Sequence, residues 1–147
     1  MGLLAELDSV ASVVLTEFPE SAIKYKVPKE PKAYQFVIRP QKNDLSTDSR
    51  FTFKIERLYQ LIYFSDNPEI ALDVMDKLSR RLMAGTTLIP INDGSLRYIR
   101  IGSFSYSDPV ETESGLSAVI ASMPTVVHQA RDQETFNKVM GLQARIN

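Results

Sequence analysis

The chain has 147 residues, of which 44% are hydrophobic and 24% are charged, values typical of a single globular domain. It has no cysteine and one histidine, which excludes disulfides, thiol catalysis and the usual zinc and copper ligand sets within one copy. The net charge of −1 says little about partners, and no apolar stretch reaches the roughly 18 residues that a membrane span needs.

The first predicted element is an amphipathic helix over residues 1–18. Apolar residues recur there at three- and four-residue spacing, and Pro19 cannot continue a helix. Pro28 and Pro31 then predict an extended connection, because proline disfavours helical backbone in the residue before it. A strand is predicted from Ala33 to Arg39.

The middle of the chain predicts two strands joined by a polar segment. Residues 41–49 contain Asn, Asp, Ser and Thr with a single Leu, which predicts a mobile loop. The next strand, Arg50–Phe64, alternates at first between apolar and polar residues. From Leu58 onward, Ile62 and Phe64 make the second face apolar as well. We expect a neighbouring copy to supply the second cover for such a strand.

Pro68–Met83 gives the clearest helix signal. Asn67 or Asp66 can cap its start, and Pro68 suits the first helical position. Gly85 is predicted to end the helix. Its apolar stripe contains Ile70, Val74, Leu78 and Leu82, with Ala71 and Met75 beside them.

The remainder predicts further strands and a final helix. The elements are a strand at Thr86–Ile91, a tight turn at Asn92–Ser95, strands at Leu96–Tyr106 and Leu116–Met123, and a helix or tail over 130–147. Pro124 is expected either to end the last strand or to bend it, in which case Val126, Val127 and His128 extend it. The fold class is therefore α+β: an antiparallel (mixed) sheet with amphipathic helices packed on one face, in the order α-β-β-α-β-β-β-α. We expect residues 1–147 to form one domain.

Few residues are suited to chemistry. No Gly-x-Ser-x-Gly elbow surrounds any serine, and His128 lies in an apolar, strand-like context that is typical of a structural histidine. No phosphate loop or dinucleotide fingerprint is present. We therefore predict no catalytic, cofactor-binding or metal-binding residue, and no enzyme activity.

Two charged segments stand out. Lys24–Lys42 carries six basic residues against the single acid Glu30, and Asp108, Glu111 and Glu113 form a compact acidic stretch. Solvated loop charge explains both segments. The alternative is a pair of complementary patches that meet between adjacent copies. Aromatic residues among the basic ones also allow nucleic-acid binding, although the pI of about 5.8 is far below that of a dedicated binder.

Most of the chain resembles the tail terminator proteins of long-tailed bacteriophages. The resemblance lies in the order of the elements and in the pattern of residue types over five segments: Phe18–Tyr25, Tyr34–Ile38, Glu56–Phe64, Pro68–Met83 and Ile91–Tyr98. It extends roughly from Leu3 to Tyr106, and the residues after Leu116 depart from the family's pattern.

The resemblance implies a structural virion protein that uses no cofactor. Such proteins form a ring, usually a hexamer, that caps the finished tail tube, stops its polymerisation and joins the tail to the head connector. The implied partners are identical copies, the tail tube protein and the head–tail connector or neck proteins, without a membrane. The resemblance also implies that genome DNA passes through the central channel (lumen) of the ring without specific binding. The implied location is the virion tail or neck, and the host cytoplasm during assembly.

We place the contact between copies on eight residues: Lys29, Lys32, Leu58, Ile62, Phe64, Asp108, Glu111 and Glu113. The alternative functions are another head–tail adaptor, head-completion or interaction module, and a nucleic-acid-binding domain.

Overall fold

The structure is a computed structural model that describes residues 2–85 and 88–130. Within them, two helices pack on one face of an eight-stranded sheet. The helices are α1 (Leu3–Glu17) and α2 (Pro68–Met83). The strands are β1 (Ala22–Lys24), β2 (Gln35–Thr47), β3 (Thr52–Ser65), β4 (Leu88–Pro90), β5 (Tyr98–Ile101), β6 (Ser105–Tyr106), β7 (Val110–Glu111) and β8 (Ser117–Ala130).

The predicted α+β class with a mixed sheet is confirmed, but the predicted order of elements is incomplete. The strands lie in the order β1-β2-β3-β8-β5-β4, while β6 and β7 also pair with β8. Only β1, a strand of three residues that the sequence did not reveal, pairs in parallel among the described strands. The predicted final helix lies outside the described residues, except for Ala130, which ends β8.

Helix α2 has the predicted bounds and start. The Asn67 side chain accepts a hydrogen bond from the Glu69 amide at 2.9 Å, and Pro68 occupies the first helical turn. The buried stripe consists of Ala71, Met75, Leu78 and Leu82, whereas Ile70 is exposed. Neither of the two described helices has the length and apolar character needed to cross a membrane.

The main core lies between the helices and one face of the sheet. Successive side chains of a strand point to opposite faces, so alternate residues of β3 meet the helices. Ile55, Tyr59, Leu61 and Tyr63 do so, against a stripe of α1 that includes Leu7, Val10, Ala11 and Val14. Both helices thus pack on the face formed by the long central strands β3 and β8.

The loop predicted over residues 41–49 is a strand as far as Thr47. These residues pair antiparallel with β3, from Lys42 opposite Leu58 to Thr47 opposite Phe53, after an irregularity between Pro40 and Lys42. Their polar composition reflects an exposed edge strand rather than a loop. We call residues 41–57, together with the paired end of β8 (125–130), the arm.

One further strand prediction needs correction, and one alternative is resolved. Leu96–Tyr106 is not one strand but the separate strands β5 and β6. Of the two alternatives left at Pro124, the extension holds, because β8 continues through Pro124 and residues 126–128 to Ala130. The Pro124 carbonyl accepts a hydrogen bond from the Gly102 amide at 2.9 Å. In an antiparallel strand, a residue's nitrogen and carbonyl point the same way. The Pro124 nitrogen, which carries no hydrogen, therefore faces the gap between β5 and β6. On that side none of the described strands pairs with β8 at Pro124, so the proline removes no hydrogen bond of the sheet.

Candidate assembly surfaces

Five strands lie side by side at one end of the sheet. Their register runs across the sheet through Ala22, Gln35, Phe64, Ala118 and Val110. In the described part of the chain, β1 pairs only with β2, and β7 pairs only with β8. These two short strands are therefore the opposite lateral edges of this end of the sheet, about 19 Å apart at the usual strand spacing.

One of these edges is basic. We call β1 and the residues after it, 22–32, the basic edge; Lys29 and Lys32 are both exposed there. The Lys32 amide donates to the Gln35 side-chain oxygen at 3.0 Å. The Tyr25 hydroxyl donates to a carboxylate oxygen of Asp8 on α1 at 2.6 Å. Partial burial, with this bond to Asp8, raises the pKa of Tyr25 to about 12. Two specific hydrogen bonds thus hold the basic edge against the body of the domain.

The opposite edge is acidic. Asp108, Glu111 and Glu113, all exposed, lie on and around β7, and we call residues 108–113 the acidic edge. A tight turn follows, in which the Gly115 amide donates to the Thr112 carbonyl at 3.0 Å. Gly115 has φ of +81°, a conformation that glycine adopts without steric cost.

The charges on the two edges have no ion-pair partners within residues 2–85 and 88–130. Neither the lysines of the basic edge nor the acids of the acidic edge take part in the ion pairs of the described residues. Both edges therefore present uncompensated charge of opposite sign to their surroundings, which is the electrostatic requirement for a contact between the two.

The three apolar residues assigned to the contact lie on the sheet face opposite the helices, as alternation along β3 predicts. Ile62 and Phe64, however, are only 6% and 3% exposed, because they pack with Val37 and Ala118 in a second small core. The expectation that they leave apolar surface uncovered is therefore wrong. Leu58 is partly exposed and lines a shallow pocket together with the charged side chains of Lys42, Asp44, Glu56 and Arg57 and with Pro124 and Val126. Their place in a contact between copies stays a prediction.

His128 has a structural partner at the tip of the arm. Its Nδ1 lies 3.0 Å from a carboxylate oxygen of Asp48, which also accepts a hydrogen bond from the Thr52 hydroxyl at 3.0 Å. The Thr52 bond, followed by the His128 contact, lowers the pKa of Asp48. Within residues 2–85 and 88–130, no group of three or more His, Cys, Asp or Glu residues is placed to hold a metal. That the chain is not an enzyme stays a prediction.

No protein-family model and no curated protein matches this chain. Among solved structures, it is similar to a chain of a structure described as "Virion of native gene transfer agent (GTA) particle". The TM-score is 0.44 and the sequence identity 12%, over 80% of this chain and 86% of that chain.

Proposed function

We propose that this protein is a structural component of a phage-like virion whose copies join head to tail, basic edge against acidic edge. The joined copies form a ring that caps the tail tube, terminates its polymerisation and connects the tail to the head. One observation carries the proposal: two oppositely charged segments, far apart in sequence, lie on opposite edges of the same end of one sheet.

This placement favours a head-to-tail contact over a two-fold contact. In a two-fold dimer each surface meets its own copy, so lysine would face lysine or acid would face acid. A head-to-tail contact instead brings Lys29 and Lys32 of one copy against Asp108, Glu111 and Glu113 of the next. Opposite charge at such a contact raises the association rate and selects against the wrong pairing.

A head-to-tail contact either closes into a ring or grows into a filament. A closed ring, usually of six copies in the family that the sequence resembles, has no free lateral edge, so side-by-side assembly stops at one defined copy number. In this arrangement the lysines of the basic edge lie between copies rather than along the lumen. Dense positive charge along the lumen would bind the phosphates of passing DNA.

The proposal is tested by the mass of the purified protein. Native mass spectrometry and negative-stain microscopy, alone and with tail tube protein, should show rings of one defined copy number that weaken as salt is raised. A strictly monomeric chain at high concentration in both conditions would refute the proposal. Salt-dependent retention on DNA without rings would favour the nucleic-acid-binding alternative.

A further inference from the structure

Leu45 on the arm is a strongly exposed apolar side chain. It is 63% exposed and lies on β2, which has no partner on its outer side beyond Val37 among the described strands. Leu45 is directly opposite Ile55, whose side chain belongs to the main core. The Leu45 side chain therefore projects on the face of the sheet that carries the helices, at its free lateral edge.

The opposite lateral edge holds a pocket whose lining is mostly aliphatic, with the Arg81 side chain beside it. It has a volume of about 380 Å³ and lies beside β4, the last of the described strands on that side of the sheet. Its lining is Val13, Arg81, Leu82, Gly85, Leu88, Ile89, Pro90 and Ile101. Ile89 and Ile101 belong to the main core, so the pocket opens on the same face of the sheet as Leu45.

Leu45 and the pocket lie at the same level of the sheet. The register runs from Leu45 to Ile55 and from Ile55 to Val127. Arg100 is opposite Val126, which places Ile99 beside Val127, and Ile99 is opposite Ile89 in the pocket wall. A single row of residues across the sheet thus ends in an exposed leucine on one side and in the mostly aliphatic pocket on the other.

We propose that Leu45 of each copy inserts into the pocket beside β4 of the next copy. The inference rests on the head-to-tail contact proposed above and names a second part of it. Two copies can be placed side by side with their strands at the same height. The basic edge of one copy then meets the acidic edge of the next at one end of the sheet, and Leu45 of the first copy meets the pocket of the next at the other end. Insertion removes an exposed aliphatic side chain from water in a ready-made cavity, as anchor residues of protein interfaces do.

Disulfide trapping tests this contact directly, because the natural chain has no cysteine. A chain with Leu45→Cys and Gly85→Cys should give, on oxidation, a ladder of covalently joined copies up to the ring size. A Cβ added at Gly85 meets nothing within 4 Å, so the pocket admits the new side chain. Leu96, which is 92% exposed, supplies the control: Leu96→Cys with Gly85→Cys should give no ladder.

Mixing the two single variants sharpens the result. Leu45→Cys mixed with Gly85→Cys should give mainly heterodimers, since a head-to-tail contact places the two positions on different copies. Equally efficient homodimers of Leu45→Cys alone would overturn the inference, because they indicate a two-fold contact. Absence of a ladder in a protein that forms rings by native mass spectrometry would overturn it too.

Two substitutions without cysteine complete the test. Leu45→Asp removes the anchor, and Gly85→Phe fills the pocket; each should lower the fraction of rings at a fixed protein concentration at least tenfold while leaving the circular dichroism spectrum unchanged. If the wild-type protein forms rings and both variants form them equally well, this inference fails and the proposed function stands. If the wild-type protein forms no rings, both fail.

Discussion

Arg57 on β3 and Glu6 on α1 form a two-pronged ion pair inside the domain. Arg57 Nε lies 3.0 Å from Glu6 Oε1, and Arg57 Nη2 lies 3.2 Å from Glu6 Oε2. The Glu6 side chain is fully buried, and that of Arg57 is 10% exposed. Arg57 Nη1 also donates to the Asn43 side chain at 2.8 Å. This network fixes the start of α1 over the base of the arm.

Removing one member of the pair should destabilise the domain strongly. Glu6→Ala leaves the Arg57 charge buried and unpaired, and the expected loss is about 3–5 kcal/mol of unfolding free energy, measured by urea denaturation. Replacing both partners by apolar residues, Glu6→Leu with Arg57→Met, should restore most of that loss. Glu17→Ala, which breaks the exposed pair with Arg81, is the control and should cost less than about 1 kcal/mol. A similar loss for Glu6→Ala and Glu17→Ala would contradict the assignment.

The Tyr59 hydroxyl should contribute little to stability. It is buried and has no hydrogen-bond partner in the described part of the chain, while the ring packs in the main core. Tyr59→Phe should therefore change the unfolding free energy by less than about 1 kcal/mol, or raise it, because it removes an unsatisfied polar group. Tyr59→Ala should cost about 3–5 kcal/mol through the cavity it leaves. A loss above about 2 kcal/mol for Tyr59→Phe would reveal a hidden partner for the hydroxyl.

Charge reversal on one edge should be rescued by reversal on the other. Lys29→Glu with Lys32→Glu places acid against acid, and the fraction of rings seen by native mass spectrometry should fall at least tenfold. Adding Glu111→Lys and Glu113→Lys to the same chain restores opposite charges and should restore the rings. Lys77→Glu, on an exposed helical pair that belongs to neither edge, is the control. Unchanged ring mass after the first reversal would remove both edges from the contact.

The bond between Tyr25 and Asp8 should give stability that disappears at high pH. The Tyr25 hydroxyl donates only while protonated, and its pKa rises from 10.0 to about 12 in the folded chain. Its contribution is complete below the unfolded value of 10.0 and is lost as pH rises to about 12. The difference in unfolding free energy between wild type and Tyr25→Phe should shrink as pH rises over that interval. The difference between wild type and Asp8→Ala should shrink over the same interval, because that substitution removes the other partner of the bond. A difference that is constant with pH would show that the bond does not form in solution.

Elements with strong local signals were predictable from sequence, whereas those defined by their neighbours were not. The Asn67 cap, Pro68 and the apolar stripe together predicted α2 with its observed bounds. The polar composition of residues 41–49 predicts a loop, but the segment is a strand as far as Thr47, because a strand at a solvent-exposed edge needs no apolar alternation. At Pro124 the sequence leaves open whether the strand ends or continues, since only the break between β5 and β6 makes a proline acceptable inside β8.

The candidate assembly surfaces were likewise predictable from sequence only in part. The sequence revealed the basic and acidic segments, but only strand order places them on opposite edges of one end of the sheet. The apolar second face of β3 was correctly inferred, but Val37 on β2 and Ala118 on β8 pack beside Ile62 and Phe64 and bury them within the single copy. Leu45 lies alone among polar residues and gave no signal before its register with Ile55 was known.

Both lateral edges belong to a single hydrogen-bonded sheet, and this has a consequence for how the proposed circle closes. In the proposed ring, the right-handed twist that builds up from strand to strand contributes to the angle between one copy and the next, because it sets the relative direction of the two edges. Side chains on the two lateral edges determine the affinity between copies, whereas the number of strands and their twist determine the curvature of the ring. Surface substitutions should therefore change the dissociation constant while leaving the copy number intact, and a different circumference would require a strand to be gained or lost.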